Sequence, residues 1–102
     1  GAFSPADIAA AHEAGADAAK VVPGELFGPA YIKSLREAFP HVGLIPIGGV
    51  TPETVVEFLR VGAIAAMAGS SLLDPSAIDR GEWLTITQRA SAFVSAIAGG
   101  SN

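Results

Sequence analysis

Gly15-Ala16-Asp17-Ala18-Ala19-Lys20-Val21-Val22-Pro23 sets one lysine inside an apolar run, and the form of that run decides the architecture. Gly15 reads as a left-handed helix stop. The residues after it read as a strand over 17–22, covered on both faces as in parallel α/β sheets, and Pro23 ends that strand by removing a ladder donor. The pattern returns 47 positions later: Gly62-Ala63-Ile64-Ala65-Ala66-Met67 matches Gly15 to Lys20, and Thr51-Pro52-Glu53-Thr54-Val55 matches Ser4-Pro5-Ala6-Asp7-Ile8. Each copy reads as cap, helix, glycine stop and strand. Ser4 and Thr51 are N-cap residues with proline at the first helical position, and Gly62 repeats the stop at Gly15.

Between the copies, Pro29 to Phe39 carries Tyr31, Ile32, Leu35 and Phe39 at helical spacing, followed by the apolar Leu44-Ile45-Pro46-Ile47. A last helix is expected from about Trp83 to Ile97. The predicted order is a short strand around Ala2-Phe3, helix, strand (17–22), helix, strand (43–47), helix, strand (63–68), helix. Alternation with such short links implies a parallel sheet with right-handed crossovers. Two strands and two helices repeating at this length are a quarter of an eight-stranded (β/α)8 TIM barrel, with an open flavodoxin-like sheet as the alternative. Residues 1–102 are then a single half-barrel segment of about four βα units, because closure takes eight units in roughly 250 residues. Half a barrel has two open edges, which a missing half, a second copy or a rearranged sheet must cover.

Composition narrows the function. Half of the 102 residues are hydrophobic, 16% are charged and the net charge is −4. The six basic residues (Lys20, Lys33, Arg36, Arg60, Arg80, Arg89) are scattered, so neither nucleic acid nor an acidic membrane surface is an expected partner. Zero cysteines exclude disulfides and thiolate chemistry, and His12 and His41 alone make no metal-ligand cluster. A cytoplasmic, metal-independent protein without a cofactor is the expectation. The longest apolar run, Val61 to Ala68, is too short to span a bilayer, and the chain opens on Gly1, which reads as processing, tagging or excision.

Two features point to chemistry. A lysine desolvated in a buried strand loses charge preference and becomes nucleophilic towards a carbonyl, which makes Lys20 a Schiff-base candidate. The bland reading is a lysine that snorkels from the strand end or pairs with an acid. Second, Ile47-Gly48-Gly49-Val50 and Ala68-Gly69-Ser70-Ser71 follow consecutive strands on the carboxyl face. Glycines there admit an anion to backbone N–H groups beside a helix N-terminus, with Ser70 or Ser71 as hydroxyl donor, although tight turns also explain such glycines.

These residues resemble a family. Gly15, then three residues, an apolar position, Lys20, two apolar residues, Pro23, a small residue, three residues and Gly28 is similar to the Schiff-base lysine motif of the 2-keto-3-deoxy-6-phosphogluconate (KDPG) / 4-hydroxy-2-oxoglutarate aldolases. Phe27-Gly28-Pro29 with Tyr31-Ile32-Lys33, Pro46 to Pro52, Gly69-Ser70, and Arg80 to Trp83 with Ile86-Thr87 extend the similarity along the whole chain. The resemblance implies the carboxyl-terminal half of that family's barrel, from the fifth strand to the last helix. It implies metal-free cleavage of 2-keto-3-deoxy-6-phospho sugar acids to pyruvate and glyceraldehyde 3-phosphate, and a homotrimer for the intact enzyme. Lys20 would attack the keto carbon, Pro23 would wall the imine, and Gly48, Gly49, Gly69 and Ser70 would hold the phosphate. Ile47 stands where many gluconate-type members carry Thr, and Gly24 where Ser or Ala is usual. The family's general-base Glu and carboxylate-binding Arg lie on early strands outside these residues, so efficient turnover by the chain alone is not expected.

The remaining polar residues read as structural. Asp7, Glu13, Glu37, Glu53, Glu57 and Glu82 fall at caps, first turns or outer helix faces. Glu25, in the loop after the lysine strand, is the exception that lines the mouth. His12 and His41 fall on the opposite end, and Trp83, Phe93, Val94 and Ile97 form a stripe read as core. Two other function classes stay open: a phosphate-binding barrel of another kind, which needs no lysine, and a non-catalytic half-barrel scaffold.

Overall fold

The computed structural model describes residues 1–100. Its elements run α1 (Pro5–Glu13), β1 (Ala18–Val21), α2 (Gly28–Ala38), β2 (Gly43–Pro46), α3 (Pro52–Arg60), α4 (Pro75–Asp79) and α5 (Trp83–Gly100). β1 and β2 pair in parallel, with Ala18, Ala19, Lys20 and Val21 opposite Gly43, Leu44, Ile45 and Pro46. The chain is therefore α/β with a parallel crossover through α2, as its alternating pattern predicts.

The expected four strands reduce to two, each flanked by a single parallel bridge, Ala2 to Val21 on one side and Ile47 to Met67 on the other. Both shortenings have a local cause. The Ala2 N–H donates to the Lys20 carbonyl and the Ala2 carbonyl accepts from Val22 N–H, but the next donor on that side, Ser4 N–H, turns to Asp7 Oδ2. On the far side Ile64 N–H donates to Leu44 O at 3.1 Å and Met67 N–H to Pro46 O at 3.0 Å. Three residues thus span what two span in β2, and the extra residue breaks the ladder in the manner of a bulge.

Both repeat copies cap as read. Ser4 Oγ accepts from Asp7 N–H while Asp7 Oδ2 accepts from Ser4 N–H; Thr51 Oγ1 accepts from Thr54 N–H while Thr54 Oγ1 accepts from Thr51 N–H. Gly15 and Gly62 take φ of +92° and +107°, the left-handed stops that side chains resist. The helices supply one core. Ile8, Ile32, Leu35, Val55 and Phe58 pack with Ala19, Val21 and Leu44, all buried. That core lies on one face of the sheet only.

Coverage of β1 on both faces is thus not what forms. Ala19 and Val21 are buried, but Lys20, which points the other way, is exposed. The stripe on α5 also departs from expectation: Phe93 is buried, whereas Trp83, Val94 and Ile97 are exposed, because α5 packs on α3 and α4 and no described element covers its other flank. The short helix α4 lies in the link between the last expected strand and the last expected helix, where the periodicity predicts no element.

Asp7 carries a pH consequence. The Ser4 and Phe3 N–H groups and the Ser4 hydroxyl hold its carboxyl below the usual carboxylate range. A depressed folded-state value contributes stability that is present above about pH 4, the ordinary value, and lost as pH falls through the lowered one. Asp7→Asn should therefore cost stability at neutral pH and flatten the acid limb of the stability curve, read by urea unfolding between neutral and strongly acidic pH.

Candidate active site

Strand geometry sends alternate side chains to opposite faces. Ala19, Val21, Leu44 and Pro46 take the helix-covered face, so Lys20 and Val22 share the bare face with Ile45 and Ile47. Ile64 joins them, lying over Gly43, where a Cβ would meet its Cδ1 at 2.6 Å, and Met67 bridges to Ile47. Among the described residues Lys20 makes no ion pair and no side-chain hydrogen bond. It is the one charged group among Val22, Ile45, Ile47, Ile64 and Met67. The pairing with an acid that the bland reading allows does not occur.

Beyond Lys20 the chain turns at Pro23-Gly24 and packs on the loop after β2. Gly24 N–H donates to Ile47 O at 2.7 Å. A Cβ on Gly24 would lie 3.1 Å from Pro46 Cβ and 3.3 Å from Ile47 N, so the glycine admits a loop seated on another loop's backbone. On the other side, a Cβ on Gly48 (φ +107°) would touch Pro23 at 3.5 Å. The imine-wall candidate Pro23 and the anion-loop candidates Gly48 and Gly49 are thereby neighbours on the carboxyl end.

The second glycine loop is tied to the first. Ser71 Oγ donates to the Val50 carbonyl, and Arg89 Nη1 of α5 donates to the Ser71 carbonyl at 3.0 Å. Ser71 is consequently a strut between the two loops, and its hydroxyl is committed. Ser70 is exposed beside it, which leaves Ser70 as the hydroxyl free to meet a ligand. Sequence reading could not separate these two serines, because the separation depends on a contact 21 residues away. Gly69 has no neighbour within 4 Å of a built Cβ and no left-handed φ, so the fold does not explain a glycine there. A rim of aromatics, Phe3, Phe27 and Tyr31, with ring centroids 5.2–5.6 Å apart, closes the start of this end, and Tyr31 Oη donates to Phe3 O at 2.6 Å. His12 and His41 meet edge-on at 4.7 Å away from it, next to the links that lead into β1 and β2.

The parallel α/β order is one that solved structures share with this chain. The sequence matches the family described as "Aldolase: KDPG and KHG aldolase" over residues 1–89, and the chain belongs to that family. It is 38% identical over 86 residues to the 2-dehydro-3-deoxy-6-phosphogalactonate aldolase of Escherichia coli, covering 82% of this chain and 40% of that protein. It is 30% identical over 87 residues to the 2-dehydro-3-deoxy-phosphogluconate aldolase of Pseudomonas aeruginosa, covering 84% and 40%. A solved structure described as native KDPGal superposes with a TM-score of 0.84 at 32% identity, over 97% of this chain and 47% of that one. The chain thus spans about 40% of the length of these curated relatives. Among the described residues no helix is long and apolar enough to cross a membrane.

The two loops differ in what their glycines do for the fold. Gly49→Ala meets both a φ of +66° and Glu25 Cβ at 2.5 Å, and should cost about 1–2 kcal/mol. Gly69→Ala, with open space around it, should stay within about 0.5 kcal/mol of the parent. Urea denaturation of both variants checks this.

Proposed function

We propose that this chain is the lysine- and phosphate-binding part of a class I, Schiff-base aldolase that cleaves 2-keto-3-deoxy-6-phospho sugar acids to pyruvate and glyceraldehyde 3-phosphate. The observation that carries the reading is Lys20, a lone cation on an apolar sheet face, three residues before the turn that packs on the Gly48-Gly49 loop. Four βα units make this the carboxyl-terminal half of a TIM barrel, with Ala2 and the 64–67 segment as outer strands. The bare face is then half of a barrel interior. Its cover is the amino-terminal half, or failing that a second copy, and the complete enzyme is a cytoplasmic homo-oligomer.

Covering the face supplies the chemistry. Excluding water from Lys20 favours its neutral amine, the nucleophilic form. The amine adds to the keto carbon and water leaves, giving an iminium. With the C4 hydroxyl proton taken by a base from the covering half, the C3–C4 bond breaks and its electron pair flows into the iminium. Glyceraldehyde 3-phosphate departs and an enamine remains. Protonation at C3 and hydrolysis return pyruvate and free Lys20.

Gly48, Gly49, Gly69 and Ser70 hold the distant phosphate and fix the C3–C4 bond over the lysine. No other role accounts for Gly69, and the Ser71–Arg89 strut keeps the two loops in register. Ile47 sits on the lysine face and offers hydrocarbon where gluconate-type members offer a hydroxyl. This favours a galactonate-type acid, in keeping with the 38% identity to a phosphogalactonate aldolase.

Borohydride reduction in the presence of pyruvate tests the proposal. Peptide mapping should find a reduced pyruvate adduct on Lys20, at the latest once an amino-terminal half from a relative is added, and Lys20→Ala should abolish it. Absence of an adduct in both settings overturns the aldolase reading.

A further inference from the structure

Glu25 lies five residues after Lys20, in the turn that the lysine strand makes over the Gly48-Gly49 loop. The turn is fixed at three points: Gly24 N–H to Ile47 O at 2.7 Å, Leu26 N–H to Pro23 O at 3.4 Å, and Gly28 N–H to Gly24 O at 3.2 Å. It lays the glutamate side chain along Gly49. A Cβ built on Gly49 would stand 2.5 Å from Glu25 Cβ and 2.9 Å from its Cδ, with Oε2 in the same contact. Gly49 is therefore glycine partly to admit this carboxylate.

The contact earns nothing obvious for stability. Among the described residues Glu25 makes no hydrogen bond and no ion pair, and it is exposed. Lys20, the nearest cation in sequence, does not reach it. An unpartnered carboxylate thus rests on the backbone of the one loop whose glycines, φ +107° and +66°, lead directly into the Thr51 cap of α3.

We propose that the Glu25 carboxylate is an internal anion that competes with phosphate for the Gly48-Gly49 loop, and so sets how strongly the site prefers a phosphorylated over an unphosphorylated keto acid. The inference rests on the reading of this loop as the phosphate site. Phosphate entering the loop meets a negative charge lying along Gly49, which opposes its binding until the carboxylate swings into solvent. Glu25 is a specificity residue; it takes no part in the covalent steps.

The test uses inorganic phosphate as the probe and the amide resonances of Gly48 and Gly49 as the readout. Glu25→Gln keeps the shape of the side chain and removes the charge. It should tighten phosphate binding on the order of tenfold at low salt. Glu25→Ala should do the same, and the gain should shrink as added chloride screens the interaction. Equal or weaker phosphate binding in Glu25→Gln overturns the proposal, as does a gain insensitive to salt. Amides that ignore phosphate in parent and variants also overturn it. Pyruvate trapping on Lys20 does not involve the loop, so it judges the aldolase reading separately.

Discussion

Among the described residues the core formed by α1, α2 and α3 lies on one face of a narrow parallel sheet, and that one-sidedness governs the rest of the molecule. Ala19, Val21, Leu44 and Pro46 turn inward towards Ile8, Ile32, Leu35, Val55 and Phe58. The strand period of two then leaves no choice for their neighbours. Lys20, Val22, Ile45 and Ile47 are delivered together to the uncovered face. A single amine is thereby placed on an apolar surface that no described element covers.

The carboxyl end is organised by backbone contacts between loops, with few side-chain interactions. Gly24 on Ile47, Gly48 on Pro23 and Ser71 on Val50 bring three successive loops into van der Waals or hydrogen-bonding contact. Glycine is what allows the first two. Arg89 from α5 completes the set by holding the Ser71 carbonyl and lying 3.9 Å from Asp74. The chain belongs to the KDPG and KHG aldolase family, and the length matched is under half of the relatives'.

Much of this was legible in the sequence because it depends on local signals. The caps at Ser4 and Thr51, the stops at Gly15 and Gly62, and the spacing of Ile32 and Leu35 are short-range features with direct structural causes. What escaped the reading depends on partners distant in sequence. The apolar run around Lys20 predicts a strand covered on both faces and does not reveal that one side stays bare. The stripe of Trp83, Val94 and Ile97 predicts a core for the same reason, since a helical stripe does not state how many neighbours the helix has. The outer strands shortened to bridges through Asp7 and through one surplus residue between Ile64 and Met67, neither visible as periodicity. The roles of Ser71 and Glu25 are set by contacts across 21 and 24 residues.

The two copies of the repeat deliver their strands at different levels of the sheet. In the duplicated sequence Met67 is the counterpart of Lys20, yet it bridges Ile47, whereas Lys20 pairs with Ile45. Two residues of strand rise, about 6–7 Å, separate the levels of the two side chains. The halves of the repeat are equivalent as text and inequivalent as space. An amine transplanted to position 67 would stand among the glycine loops, above the layer where Lys20 lies.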